Sequence, residues 1–295
     1  MPLQNAFMLL LLGTIWGASY MFIKVSVAEI TPLTFVVLRT GLGGGLLALF
    51  LLLRGRRLPG RSLWKPLFVM GLFNTLIPYG LINWGELYIS SALAAILTGT
   101  MPLFTVILAH FWSKDERMDW YKAAGVVVGF LGVVVLLAPD VRGGIVHNIA
   151  GDLAVMGAGL SYAIAAVFAR RHLTGHEPAV LSTGMLLAGF ILTVPLAFAF
   201  ERPLALAPSL RAWGATLTLA FVGTAIAYLI YYWILEHGGA VQASLVTYII
   251  PVGALFWGWL LLGENIRWTS LVGLGGILLG IMVANRFRIL KSASH

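Results

Sequence analysis

The chain has 295 residues, of which 60% are hydrophobic and only 10% charged. A soluble protein carries about 25% charged residues, so this composition excludes a soluble enzyme, a disordered chain and a nucleic-acid-binding domain. The formal charge of +8 is better read as loop Lys and Arg that orient a membrane protein than as a nucleic-acid surface. There is no Cys, so disulfides, thiol catalysis and Fe–S ligation are excluded, and the six His are scattered along the chain.

A spanning helix needs about 20 mostly apolar residues. Taken in chain order, the apolar runs break near 29–32, 54–66, 88–91, 113–119, 139–150, 172–178, 201–211, 236–239 and 264–268. These breaks predict ten transmembrane helices and leave little for any soluble domain. The first run starts at Asn5 without a basic segment before it, which predicts a retained helix rather than a cleaved signal peptide. With the N-terminus in the cytoplasm, thirteen of the nineteen Lys and Arg fall in inside connections and four in outside ones; Lys24 and Arg39 lie within spans. Both termini are therefore expected to be cytoplasmic.

The sequence repeats. At an offset of 149, Thr75, Tyr79, Trp84, Thr98 and Pro102 align with Thr224, Tyr228, Trp233, Thr247 and Pro251. At an offset of 148, Glu116, Trp120, Gly125 and Gly132 align with Glu264, Trp268, Gly273 and Gly280. At an offset of 142, Gly17-Ala18-Ser19-Tyr20 meets Gly159-Leu160-Ser161-Tyr162. The halves, 1–139 and 140–295, each hold five spans. An odd number turns the second half upside down in the membrane, and such inverted repeats build many secondary transporters. A static channel is the alternative from the repeat alone.

At these residues the chain resembles the drug/metabolite transporter superfamily, as a protein with two EamA domains. The resemblance rests on Trp16-Gly17-x-Ser19, Arg39, Ala92–Leu97, Pro102–Thr105, Glu116 and Gly125, Gly129 and Gly132 in the first half. In the second half it rests on Gly151-Asp152-Leu153, Ser161-Tyr162-Ala163, Arg170-Arg171, Pro251-Val252, Leu262-Gly263-Glu264 and Gly273. One departure is Ser113–Glu116, where the family has Leu-Gly-Glu. The resemblance implies ten helices around a central cavity in the bacterial inner membrane, exporting amino acids and other small metabolites. Within the superfamily the chain looks most like the YddG-type amino-acid exporters.

The candidate substrate-binding residues are polar or aromatic groups inside spans. Trp16, Ser19 and Tyr20 share one face of the first helix, and Ser161 and Tyr162 are their mates in the sixth. Trp and Tyr usually sit at the interfaces, so mid-span positions suit a cavity wall; small-residue helix packing is the other reading of the serines. Asn74, Tyr79, Asn83 and Trp84 on the third span, with Tyr228 and Tyr232 on the eighth, add polar tips, although Asn83, Trp84 and Trp233 also fit interface anchors. Pro102 and Pro251 are expected to interrupt the fourth and ninth spans and free carbonyls near Thr98 and Thr247; a kink with each Thr bonding its own backbone is the alternative. Gln242 and Tyr248 are weaker candidates.

The remaining charges have blander readings. Arg39 is expected to snorkel or to pair with Glu29 or Glu86, with a substrate carboxylate as the alternative, and Lys24 to snorkel. Glu116, Glu264 and Asp152 are expected to complement the dipoles of the helices they precede. His110 reads as interfacial. Gly125-x₃-Gly129 and Gly276-x₃-Gly280 suit close helix packing, within the monomer or across a dimer. No acid falls at mid-span, which points to movement down the substrate gradient. No P-loop, no catalytic constellation and no cofactor site is present. The expected partners are a small-molecule substrate and the lipid bilayer, with no nucleic acid, in a monomer or homodimer. The alternatives are a drug, nucleoside or other metabolite exporter, or a passive channel.

Overall fold

The computed structural model describes residues 2–112, 118–143 and 146–292, with side chains described except at 140, 240–241 and 285–292. The described residues are helical and connected by short turns, with no strand. Ten helical elements follow: α1 Leu3–Val27, α2 Pro32–Leu53, α3 Arg61–Gly85, α4 Ser91–Trp112, α5 Trp120–Arg142, α6 Val146–His172, α7 Pro178–Phe200, α8 Leu210–Gly239, α9 Gln242–Leu262 and α10 Trp268–Ser292. Nine are long and apolar enough to cross a membrane, and α10 has the apolar stretch Trp268–Ala284. Large apolar side chains such as Leu10, Val127, Leu131, Val134, Trp259 and Leu279 are exposed. On a membrane protein these are the surface that faces hydrocarbon. The face on which α1 starts is called the termini face below, and the opposite one the distal face.

The breaks come where expected, with local differences. α5 runs through Pro139 to Arg142, and α6 already starts at Val146. Proline near a helix C-terminus removes one N–H without ending the helix, which here caps at Gly143. α8 leaves helical geometry at Gly239, where φ is 72° and ψ 174°, a conformation open to glycine alone. In α4 the interruption lies at Gly99–Thr100, ahead of Pro102. In α9, Pro251 sits inside the continuous helix Val246–Leu262, so it does not interrupt the span as expected.

The helix contacts repeat the sequence symmetry. α1 packs on α9 and α8, and α6 packs correspondingly on α4 and α3. α3 packs on α7 as α8 packs on α2, while α2–α7 and α5–α10 map onto themselves. The glycine stripes lie inside the α5–α10 pair: a Cβ on Gly125 would stand 2.5 Å from the Gly280 carbonyl oxygen, and one on Gly276 2.8 Å from Gly132 Cα. Of the two packing partners left open by the sequence, the stripes take the one within the chain.

Spans three and eight share a further feature. Residues Leu72–Leu76 and Phe221–Ile226 wind as π-helix, and they are repeat mates at the offset of 149. Such bulges free carbonyls from the helical ladder and cluster at functional sites. In α3, Pro78 follows directly and offers no N–H to Asn74. In α8 the equivalent residue is Ala227, and the Thr224 hydroxyl takes the Leu219 carbonyl instead at 3.0 Å.

Candidate functional site

The two π segments collect polar side chains of α1, α2 and α6. Ser161 of α6 donates to the Phe73 carbonyl in the first π segment at 2.7 Å. Its mate Ser19 lies against Gly223 in the second, its hydroxyl donating to the Ile15 carbonyl at 3.0 Å. Arg39 of α2 donates from Nε to Thr224 Oγ1 at 3.2 Å, in the second π segment. Asn74, in the first, points its Nδ2 at Met185 Sδ of α7, 2.9 Å away.

Arg39 does not snorkel. It is 8% exposed, its guanidinium carbon lies 4.1 Å from the centre of the Tyr79 ring, and among the described residues no carboxylate stands at ion-pair distance. The expected pairings with Glu29 and Glu86 are therefore absent. Its charge reaches the hydroxyls of Tyr20, Tyr162 and Tyr228. Tyr228 also meets Trp16 edge-on, with centroids 6.1 Å apart, and stacks with Tyr232 at 6.0 Å. Tyr231, which sequence reasoning did not single out, lies 5.6 Å from Trp16. Its signal was its place one turn after Tyr228 on the same face. Tyr20 and Thr98 approach each other. The structure thus brings Tyr79 and Thr224 onto Arg39, and sets Trp16, Tyr228, Tyr231 and Tyr232 against one another in an aromatic group.

Other candidates lie apart or are engaged elsewhere. The Asn83 amide donates to the Pro32 carbonyl at 3.0 Å and joins α3 to the start of α2. Trp84 is exposed and packs on Tyr88 at the distal end of α3, the position of an interface anchor. The Thr98 and Thr247 hydroxyls donate to the carbonyls of Ala94 and Ser244, at 2.8 Å each, so both bond their own backbone. Tyr248 packs on the apolar core. Gln242 accepts from Asn5 at 2.9 Å and ties α9 to the start of α1 at the termini face. His110 accepts from the Met118 amide at 3.0 Å.

At the distal face three carboxylates tie one half of the chain to the other. Glu201, ending α7, accepts from the amides of Leu33 and Thr34 at 2.9 and 2.7 Å and from the hydroxyls of Thr31 and Thr34, all at the start of α2. Glu264 accepts from the amides of Ser91 and Ala92 at 2.8 and 3.1 Å, so it caps α4 rather than the α10 it precedes. Glu29 accepts from the amide and hydroxyl of Ser209, at 2.6 and 2.7 Å, at the start of α8. These Ser209 bonds hold the Glu29 carboxyl below the usual range. Each carboxylate meets the positive end of a helix dipole. Lys24, instead of snorkelling, donates to the carbonyls of Glu86 and Ile89 at the end of α3. Glu86 itself is fully buried, and neither of its carboxylate oxygens has a hydrogen-bond partner among the described residues. Glu116 and the 113–116 turn lie outside the described residues.

The model of the EamA-like transporter family matches residues 4–138 and 149–286. The chain belongs to this family. An uncharacterized transporter of Archaeoglobus fulgidus is 32% identical over 275 residues, covering 93% of this chain and 96% of its own. The uncharacterized transporter YoaV of Bacillus subtilis is 28% identical over 91% of this chain and 92% of its own. The uncharacterized inner membrane transporter YedA of Escherichia coli is 29% identical over 96% and 90%. One crystal structure superposes with a TM-score of 0.67, covering 96% of this chain and 98% of the other at 21% identity, which speaks to the fold alone. As an EamA-like protein the chain is a multi-pass membrane transporter.

Proposed function

We propose that this EamA-like protein exports amino acids or related small metabolites across the bacterial inner membrane by alternating access, down the substrate gradient. One observation carries the reading: the buried Arg39 lies over the Tyr79 ring of α3 and bonds Thr224 in the π segment of α8, where Tyr228, one turn on, packs against Trp16 of α1. Rings with polar tips suit a ligand that is apolar at one end and charged at the other. The distal clamps fit a carrier, because each joins one half to the other and has to part when that side opens. The halves divide at 139/140, with both termini cytoplasmic and the distal face external; no resident cofactor takes part.

The buried and unpartnered Glu86 favours a second reading, in which a proton returns as substrate leaves. Drug, nucleoside or other metabolite export on the same fold, and a passive channel, are the further alternatives.

The test is counterflow in proteoliposomes with Trp16, Tyr79 and Tyr162 replaced one at a time by Ala. Each replacement is expected to raise the half-saturating amino-acid concentration about tenfold or more, the loss of one aromatic contact of about 1.4 kcal/mol. Half-saturation unchanged in all three would remove the site from this cluster. Flux that never saturates would make the protein a channel.

A further inference from the structure

The transported molecule has to be chemically compatible with a buried cation, and Arg39 sets that condition. Its guanidinium is 8% exposed and among the described residues has one hydrogen bond, from Nε to the neutral Thr224 hydroxyl. The Tyr79 ring covers one face of it at 4.1 Å. The neighbours its charge reaches are chiefly tyrosine hydroxyls, with Glu86 also in range but not bonded. A guanidinium in low dielectric is stable only when an anion and further acceptors answer it. Nε is committed to Thr224, while the two terminal nitrogens keep the planar fork that binds a carboxylate through two parallel hydrogen bonds.

The repeat sharpens the point. Arg39 meets the second π segment at Thr224, and Met185 meets the first at Asn74. Asn74 stands one residue before Thr75, the repeat mate of Thr224, so the two contacts occupy neighbouring places in the two halves, and only one of them carries charge. Packing α2 against α8 needs no more than Met185 supplies between α7 and α3. The charge is therefore surplus to the packing role.

We propose that Arg39 is the specificity-determining residue of the transport site, binding the carboxylate of the substrate, so that a free carboxylate is required and amines, alcohols and neutral nucleosides are excluded. This rests on the carrier reading above and narrows its substrate class. The aromatic rings then receive the rest of the molecule, and the carboxylate supplies the guanidinium with a bonded anion each time the site loads.

The experiment uses purified full-length protein in liposomes and measures self-exchange, with the same compound labelled outside and unlabelled inside, for phenylalanine, 3-phenylpropionate, phenylalaninol and phenethylamine in turn. Expected is exchange of the two carboxylates and at least tenfold slower exchange of the other two. Arg39→Lys keeps carboxylate exchange with a raised half-saturation. Arg39→Gln loses it and reverses the preference between phenylalanine and phenylalaninol, a change in ratio that a merely structural role would not produce. Folding of each variant is checked by its unfolding temperature. Should Arg39→Gln fail to fold, the four-compound panel on the unaltered protein and Arg39→Lys still decides. Exchange of phenylalaninol and phenethylamine as fast as phenylalanine overturns the carboxylate requirement and leaves the carrier reading standing. Exchange of 3-phenylpropionate without phenylalanine supports the Arg39 assignment and overturns the amino-acid reading. No exchange of any of the four in folded protein overturns both.

Discussion

Replacing Glu201 by Ala is expected to open the distal face. The carboxylate accepts from two main-chain amides and two hydroxyls at the start of α2; the amides have no intrahelical partner to fall back on, while the Thr31 and Thr34 hydroxyls keep each other at 2.9 Å. Losing an N-terminal cap costs about 0.5–2 kcal/mol, and losing a carboxylate at the dipole's positive end costs about 0.3–1 kcal/mol more. A total of about 2 kcal/mol would shift the ratio of distal-closed to distal-open protein roughly 30-fold, at about 1.4 kcal/mol per factor of ten. The chain has no Cys, so Tyr79→Cys provides a single reporter at a buried position of the site. Its labelling by a membrane-impermeant maleimide from the distal side reads the open fraction directly when opening is fast. Labelling should rise roughly 30-fold in Glu201→Ala, in line with that shift. It should rise less in Glu201→Gln, which keeps an acceptor oxygen. Unchanged labelling in Glu201→Ala, with the unfolding temperature preserved, would refute the idea that this clamp holds the face shut.

Two further outcomes follow from the same contacts. Gly125→Leu would press its Cβ against the Gly280 carbonyl at 2.5 Å and the Ala284 amide at 2.6 Å, both backbone groups that cannot turn aside. About 1–3 kcal/mol of overpacking should lower the unfolding temperature in detergent, whereas the size of the detergent-solubilised particle should stay the same. Glu29 has its carboxyl held low by Ser209, so its contribution is complete above the ordinary carboxylate value of 4.5 and disappears as pH falls through the lowered one. Glu29→Gln should therefore lower the unfolding temperature at neutral pH, and the gap to the unaltered protein should close in strong acid; a gap independent of pH would contradict this.

The span count and the inverted repeat were legible because hydrocarbon thickness and odd helix number leave few alternatives. The mid-span aromatics were legible for a related reason: Trp16, Tyr79 and Tyr162 stand where interface residues do not belong. Arg39 was visible as an intramembrane charge, but its surroundings were not. Its contacts to Thr224 and Tyr79 join positions far apart in sequence, and a snorkelling arginine looks the same in a one-dimensional reading. Glu264 shows the same limit. Its place just before α10 suggested that helix's dipole, while the fold brings it to the N-terminus of α4. The π segments had no composition signal of their own, since a single residue of register shift changes no apolar pattern. Only the pairing of Thr75 with Thr224 marked them as equivalent.

The most direct test of the account is counterflow of labelled amino acids in proteoliposomes, with and without a pH gradient, in the unaltered protein and in Glu86→Gln. The account predicts saturable counterflow for some amino acids, stimulated by substrate on the opposite side, unchanged by the gradient and retained in Glu86→Gln. Counterflow that needs the gradient and vanishes in folded Glu86→Gln would contradict transport down the substrate gradient and make Glu86 the proton site.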